Sequence, residues 1–212
     1  EGGTFLALKW VAAEPGGFSF PFVDLNRASN WNEFRAALAR YPGPAQNFVY
    51  ADVDGNIGYQ ATGKLPIRRG WAGDVPQDGA GGVNEWDGFI PFDELPSYLN
   101  PPSGMVVSAN ENPFPAQYRY AAGGNFAPTW RSRRIRALLA GRKGWRAEEM
   151  LGVQTDIYSE FSHWLAKQAA AAVEKRKATN PDLAAATALL RAWDGRMERG
   201  KAAPLLVTLL FQ

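Results

Sequence analysis

Upstream of about residue 130, the apolar residues of this chain come in short runs broken by Gly and Pro. Downstream they recur at helical spacing among Ala, Leu and Arg. Phe5-Leu6-Ala7-Leu8-Lys9-Trp10-Val11 is short, apolar and bounded by turn formers, which predicts a buried strand; periodicity alone leaves a helix as the alternative. Asn30 with Glu33 three residues later is close to a capping box. Trp31, Phe34, Ala37 and Leu38 then share one face, so a short helix is expected to stop before Pro42. Gln46 to Ala51 and Ile57 to Thr62 read as two strands joined through Asp52-Val53-Asp54-Gly55-Asn56, whose Asp-Gly pair supplies positive backbone angles for a hairpin.

Residues 66 to 88 carry many Gly, Asp and Pro residues around Trp71 and Trp86, which predicts a long ordered loop over the surface of a sheet. After Pro101-Pro102-Ser103-Gly104, Met105 to Ala109 reads as another buried strand, ending at Asn110-Glu111-Asn112-Pro113. From Thr129 the spacing is helical: Trp130, Ile135, Leu138 and Leu139 form a stripe with Gly141 as the stop. A longer helix is expected from about Ala147 through the Ala169 to Val173 stretch, and Asn180-Pro181 then caps and begins a helix through Ala192. A bare Glu1-Gly2-Gly3 before the first run, and an apolar run from Leu205 to Phe211 that breaks off at Gln212, suggest part of a larger folding unit.

At 212 residues, with 46% hydrophobic and 21% charged residues, the chain is long enough to bury a core and too apolar to be disordered. No run of about 18 apolar residues exists, so no membrane span is expected. A net charge of +2 provides no field that calls for nucleic acid or an acidic membrane as partner. With 0 Cys and 1 His, thiolate nucleophiles, zinc ribbons and His-rich metal sites are excluded, so any catalysis in these residues runs without imidazole unless His163 takes part. His163, among Phe161, Trp164 and Leu165 with no Gly-x-Ser-x-Gly motif as partner, reads as a packing residue. The N-terminus lacks the basic and apolar regions of a signal peptide.

The Asn110-Glu111-Asn112-Pro113 turn sets two primary amides at a strand exit, where a fixed N–H donor serves an oxyanion hole. The competing reading is that both side chains serve the turn itself. Arg131, Arg133, Arg134, Arg136, Arg142, Lys143 and Arg146 form the one dense basic stretch, but they wrap around a helix; a solvated helix with one Arg turned inward fits better than a nucleic-acid footprint. Asp52, Asp54 and Asn56 lack the downstream Glu of a calcium loop and read as hairpin residues. The eight Trp and several Tyr read mostly as core, with aromatic walls for a ligand as the alternative.

Several strings, in order, resemble the β-subunit of the penicillin acylase (penicillin amidase) family of N-terminal nucleophile hydrolases. They are Leu25 to Ala28 with Asn30 to Phe34, Gln46 to Asp52 with Gly55 to Tyr59, Trp86 to Phe92, Asn100 to Gly104, Ser108 to Pro113, Arg131 to Leu139, Gln154 to Asp156, and Trp193 to Met197. The resemblance implies an α+β fold: part of a four-layer αββα sandwich in residues 1–140, followed by an incomplete helical insertion in 141–212. It implies an amide-bond hydrolase that matures by self-cleavage and works through an acyl-enzyme on an N-terminal Ser, whose α-amino group is the general base. That base needs no histidine, since an α-amino group titrates near 7.7 to 8.0.

By the same resemblance Asn112 is the side-chain donor of the oxyanion hole, with Asn110 as the less favoured candidate, and Arg131 is the arginine that orients the nucleophile and the Asn. Glu1 is no nucleophile, so this segment alone is expected to be inactive, and its partners are expected to be an N-terminal α-subunit, the remaining β-subunit segments and a small-molecule acyl-amide substrate. No cofactor is required. The structural calcium of part of the family draws mostly on residues outside this segment, and Ala121 and Ala122 stand where an acidic ligand is expected. Family habit gives a periplasmic or secreted location. The rival to an enzyme is a non-enzymatic, aromatic-rich binding module on the same fold.

Overall fold

A computed structural model of the protein describes residues 5–177 and 180–211; the Glu1-Gly2-Gly3 start and Gln212 lie outside the described residues. The chain forms two compact units, Glu1–Ala127 and Pro128–Gln212. Helices and strands are both present, so the fold is α+β.

In the first unit, α1 (Phe22–Arg27) leads into α2 (Trp31–Leu38). Asn30 caps α2 by accepting the Glu33 N–H at 3.0 Å, while the Glu33 carboxylate accepts the Ser29 N–H at 2.8 Å. The capping box is therefore present with its return bond one residue early. The face predicted for α2 is the one buried: Phe34 and Leu38 pack with Tyr50, Trp31 and Phe48. Strands β1 (Gln46–Ala51) and β2 (Ile57–Thr62) form the expected antiparallel hairpin, Gln46 opposite Thr62 and Ala51 opposite Ile57. Asp52 holds the turn by accepting from the Tyr50 hydroxyl, the Asp54 and Asn56 N–H groups and the Asn56 amide, at 2.8 to 3.1 Å.

Buried polar groups tie α2 to β2. The Thr62 hydroxyl donates to the Leu38 carbonyl at 2.8 Å, and the fully buried Gln60 accepts from Arg35 Nε at 2.9 Å while donating to the Ala61 carbonyl at 2.7 Å. Each is satisfied, as burial away from water requires.

The structure departs from the sequence reading at three places in this unit. Residues 66–88 are not all loop, because β3 (Pro66–Arg68) pairs with β4 (Trp86–Phe89) and only the stretch between them crosses the surface. A short strand, β5 (Ser97–Leu99), adds to β2 and gives the sheet order β1-β2-β5. The Phe5 to Val11 run is not a buried strand. Neither sheet includes it, Phe5 and Leu8 are exposed, and a 3-10 turn begins at Val11. An apolar run becomes a strand only where an edge receives its backbone, and no described strand offers one there.

In the second unit α3 (Trp130–Leu139) ends near Gly141, whose φ of +78° marks the predicted stop. The single long helix expected from Ala147 is instead α4 (Met150–Gln154) and α5 (Glu160–Lys175), separated at residues 155–159. Ser159 caps α5 by accepting from the Ser162 N–H at 3.2 Å. The break is held by Tyr158, which bridges to Arg196, and by the Ile157 carbonyl, which accepts the Met197 N–H at 2.9 Å. Then α6 (Pro181–Ala192) starts at Asn180-Pro181 as read from sequence, and α7 (Ala202–Phe211) takes up the last apolar run. Small residues let α5 approach α6 and α7 closely: Ala166, Ala170 and Ala203 pack with Leu190, Trp193 and Val207.

Candidate active site

Met105 to Ala109 buries Val107 and Ala109, as its apolar character predicts, but is not the expected strand and belongs to neither sheet, so the asparagines stand at the exit of a partly buried segment. Asn110 has φ of +63°, a left-handed conformation that Asn tolerates, and its carbonyl accepts the Ala127 N–H at 2.8 Å. The Ala109 N–H donates to the Glu111 carboxylate at 3.0 Å.

Asn112 is exposed, and its amide oxygen accepts the Phe114 N–H at 2.9 Å. Phe114 in turn packs on the cluster of Tyr59, Ala61, Ile90 and Leu95, with its ring 4.8 Å from that of Tyr118. The turn is thus anchored on both sides, by Val107 and Ala109 before it and Phe114 after it. A carboxamide whose oxygen is engaged in this way keeps both Nδ2 protons for another acceptor.

Arg131 stands in the first turn of α3, where no acidic residue offsets the helix dipole, a position unfavourable for a cation. It lines a cavity of about 420 Å³ in the second unit together with Trp130, Ile135, Leu138, Val153, Ile157 and Met197. Asn110 and Asn112 therefore belong to the first unit and Arg131 to the second.

The inward-turned arginine expected of the basic stretch is Arg134. Its Nε and Nη2 donate to the two oxygens of Asp156 at 2.7 and 3.0 Å, and its guanidinium lies 4.5 Å from the Tyr158 ring centre. The Arg134 hydrogen bonds hold the Asp156 carboxyl below the usual carboxylate range, against the opposing effect of burial. Neither the pairing nor its place on the cavity wall was read from sequence; Asp156 in Gln154-Thr155-Asp156 was the available signal. His163 is a packing residue, with Nδ1 3.0 Å from the Tyr158 hydroxyl and its ring edge against Trp193.

Asp52 is saturated by its hairpin, and those bonds, led by the Asn56 amide, keep its carboxyl below the ordinary range. Burial, together with Asp52, pushes the Tyr50 hydroxyl up to about 12, so it remains a donor to that carboxylate. Among the described residues no group of three or more His, Asp or Glu is arranged to hold a metal.

A family model described as penicillin amidase matches residues 1–212. Penicillin G acylase of Escherichia coli is 38% identical over 106 residues, which are 49% of this chain and 12% of that protein. Acyl-homoserine lactone acylase QuiP of Pseudomonas putida is 30% identical over 203 residues, 89% of this chain and 24% of that protein. A solved structure of a thermostable penicillin G acylase from Alcaligenes faecalis superposes with a TM-score of 0.66 at 26% identity, covering 85% of this chain and 32% of that one. The chain spans between 12% and 24% of the two curated relatives just described. Ordered motifs, mixed fold and a match over the whole length agree: this chain belongs to the penicillin amidase family.

Proposed function

We propose that these residues are part of an amide-bond hydrolase of the acylase type, in which Asn112 donates to the oxyanion of the tetrahedral intermediate. Similarity to acylases supports the reaction class. The observation that carries the residue assignment is the fixed carboxamide: the Asn112 oxygen is engaged by the Phe114 N–H at the end of a partly buried segment, and both amide protons remain to be used. The nucleophile is an N-terminal Ser outside these residues. Its hydroxyl oxygen attacks the amide carbonyl while its own α-amino group takes the proton; the C–N bond then breaks and the amine leaves with that proton. Water attacks the resulting ester, releasing the acid and restoring the Ser. During both steps negative charge collects on the former carbonyl oxygen, where a donor that needs no reorganisation lowers the barrier.

Arg131 acts as a positioning residue for the nucleophile, and Asn110 shapes the turn and is the second candidate donor. The reading needs no cofactor. It makes this chain inactive by itself, with an α-subunit and further β-subunit segments as partners, inside a four-layer αββα sandwich bearing a helical insertion from about residue 141. No described helix is long and apolar enough to cross a membrane, and a periplasmic or secreted location follows family habit.

The test is Asn112→Ala in the complete, processed protein. Turnover is expected to fall about 100- to 1000-fold with little change in KM. An unchanged turnover number removes Asn112 from the mechanism, and Asn110→Ala assayed in parallel decides between the two amides.

A further inference from the structure

Around β3 and β4, Lys9 and Arg69 each have a carboxylate partner, and Lys64 lies over the Phe89 ring. Lys9 meets Glu85 at 2.7 Å and lies 4.9 Å from the centre of the Trp86 ring, and Arg69 pairs with Asp87. Arg68, at the end of β3, is left over. Its side chain is half-buried, its Nε is out of contact with water, and no hydrogen-bond acceptor reaches that atom. The guanidinium lies 5.4 Å from the Trp71 ring centre, and the Trp71 indole Nε1 is likewise buried without a partner. Two adjacent donors with no acceptor are costly, roughly 1 to 3 kcal/mol for each buried unsatisfied group.

The backbone above them is built to approach closely. A β-carbon on Gly73, which has φ of +88°, would come within 2.5 Å of Arg68 Nε. Gly70, with φ of +75°, stands on the other side of Trp71. Residues 72–83 are exposed, so the bend that covers this corner faces solvent, and the carboxylates on either side of Trp86, the residue opposite Arg68 across the strand pair, are already engaged: Glu85 by Lys9 and Asp87 by Arg69.

We propose that Arg68 and Trp71 form a binding corner for the carboxylate of a small molecule. A planar guanidinium fork matches a carboxylate bidentately, the aromatic face backs the cation, and the indole N–H supplies a further donor. The inference rests on the amidohydrolase reading only in that such a reaction releases an acid; binding itself requires no turnover.

The complete, processed protein is labelled with ¹⁵N-Trp, the Trp71 indole resonance is assigned from Trp71→Phe, and sodium benzoate is titrated against sodium chloride at matched ionic strength. The expected result is a saturable shift of the Trp71 indole resonance with benzoate and not with chloride, weakened at least tenfold in Arg68→Gln. Arg68→Lys keeps the charge and aliphatic stem but lacks the fork; a similar weakening in that variant, with its melting curve retained, covers the case in which Arg68→Gln fails to fold. Absence of a saturable shift, including one caused by a carboxylate of the protein itself occupying the corner, overturns the proposal, as does unchanged affinity in both variants. Because no amide is present, failure here leaves the Asn112 assignment standing, and loss of that assignment leaves this one.

Discussion

Gly58 illustrates how single positions set the packing of the first unit. A β-carbon there would lie 2.7 Å from the Trp31 ring, so the missing side chain is the space the indole occupies. Gly58→Ala is expected to destabilise by about 1 to 3 kcal/mol, read as a lower urea midpoint at unchanged slope. Asn30→Ala removes the cap of α2 and is expected to cost about 1 kcal/mol in the same measurement. The cap was legible in the sequence because it depends on residues three apart. The clash at Gly58 was not, because Trp31 approaches it from 27 positions away. Asn112 lies between these cases: its turn was readable from Asn and Pro, but the anchoring of that turn by Phe114 on the Tyr59 cluster depends on the fold.

The break between α4 and α5 is an element-scale decision that helical periodicity concealed. Apolar spacing continues across residues 155–159, yet Asp156 pairs with Arg134, Tyr158 bridges to Arg196 and Ser159 caps the next helix. Arg134→Met strands a largely buried carboxylate and is expected to destabilise by roughly 3 kcal/mol, measured by thermal or chemical unfolding. Because the Asp156 carboxyl is held below its unfolded value of about 3.9, its stabilising effect is fully present above about pH 4. That effect is lost as the pH falls through the folded value. Melting temperature is therefore expected to fall on acidification below about pH 4, and Asp156→Asn to flatten that part of the profile. A profile of the same steepness in the variant removes Asp156 as the group responsible.

For the whole molecule, the basic stretch in the second unit is largely neutralised where it stands: Arg133 pairs with Glu160, Arg134 with Asp156 and Arg142 with Glu149. With a net charge of +2 the chain is expected to leave heparin below about 0.2 M salt and to show no steep salt dependence toward DNA. Retention at high salt would restore the nucleic-acid reading. What the sequence determined by itself is what nearest neighbours decide: the caps at Asn30 and Asn180, the Asp52 hairpin, the stop at Gly141, the exclusion of thiol chemistry and the ordered strings of the penicillin amidase family. Tertiary structure alone decided which apolar runs found a neighbour. Phe5 to Val11 has the composition of a strand and no described edge to pair with, while Ser97–Leu99 is short and becomes one because β2 offers its backbone. A strand forms only where another strand's backbone receives its hydrogen bonds, and outside a hairpin that partner is distant in the chain, whereas a cap or a turn closes within a few residues.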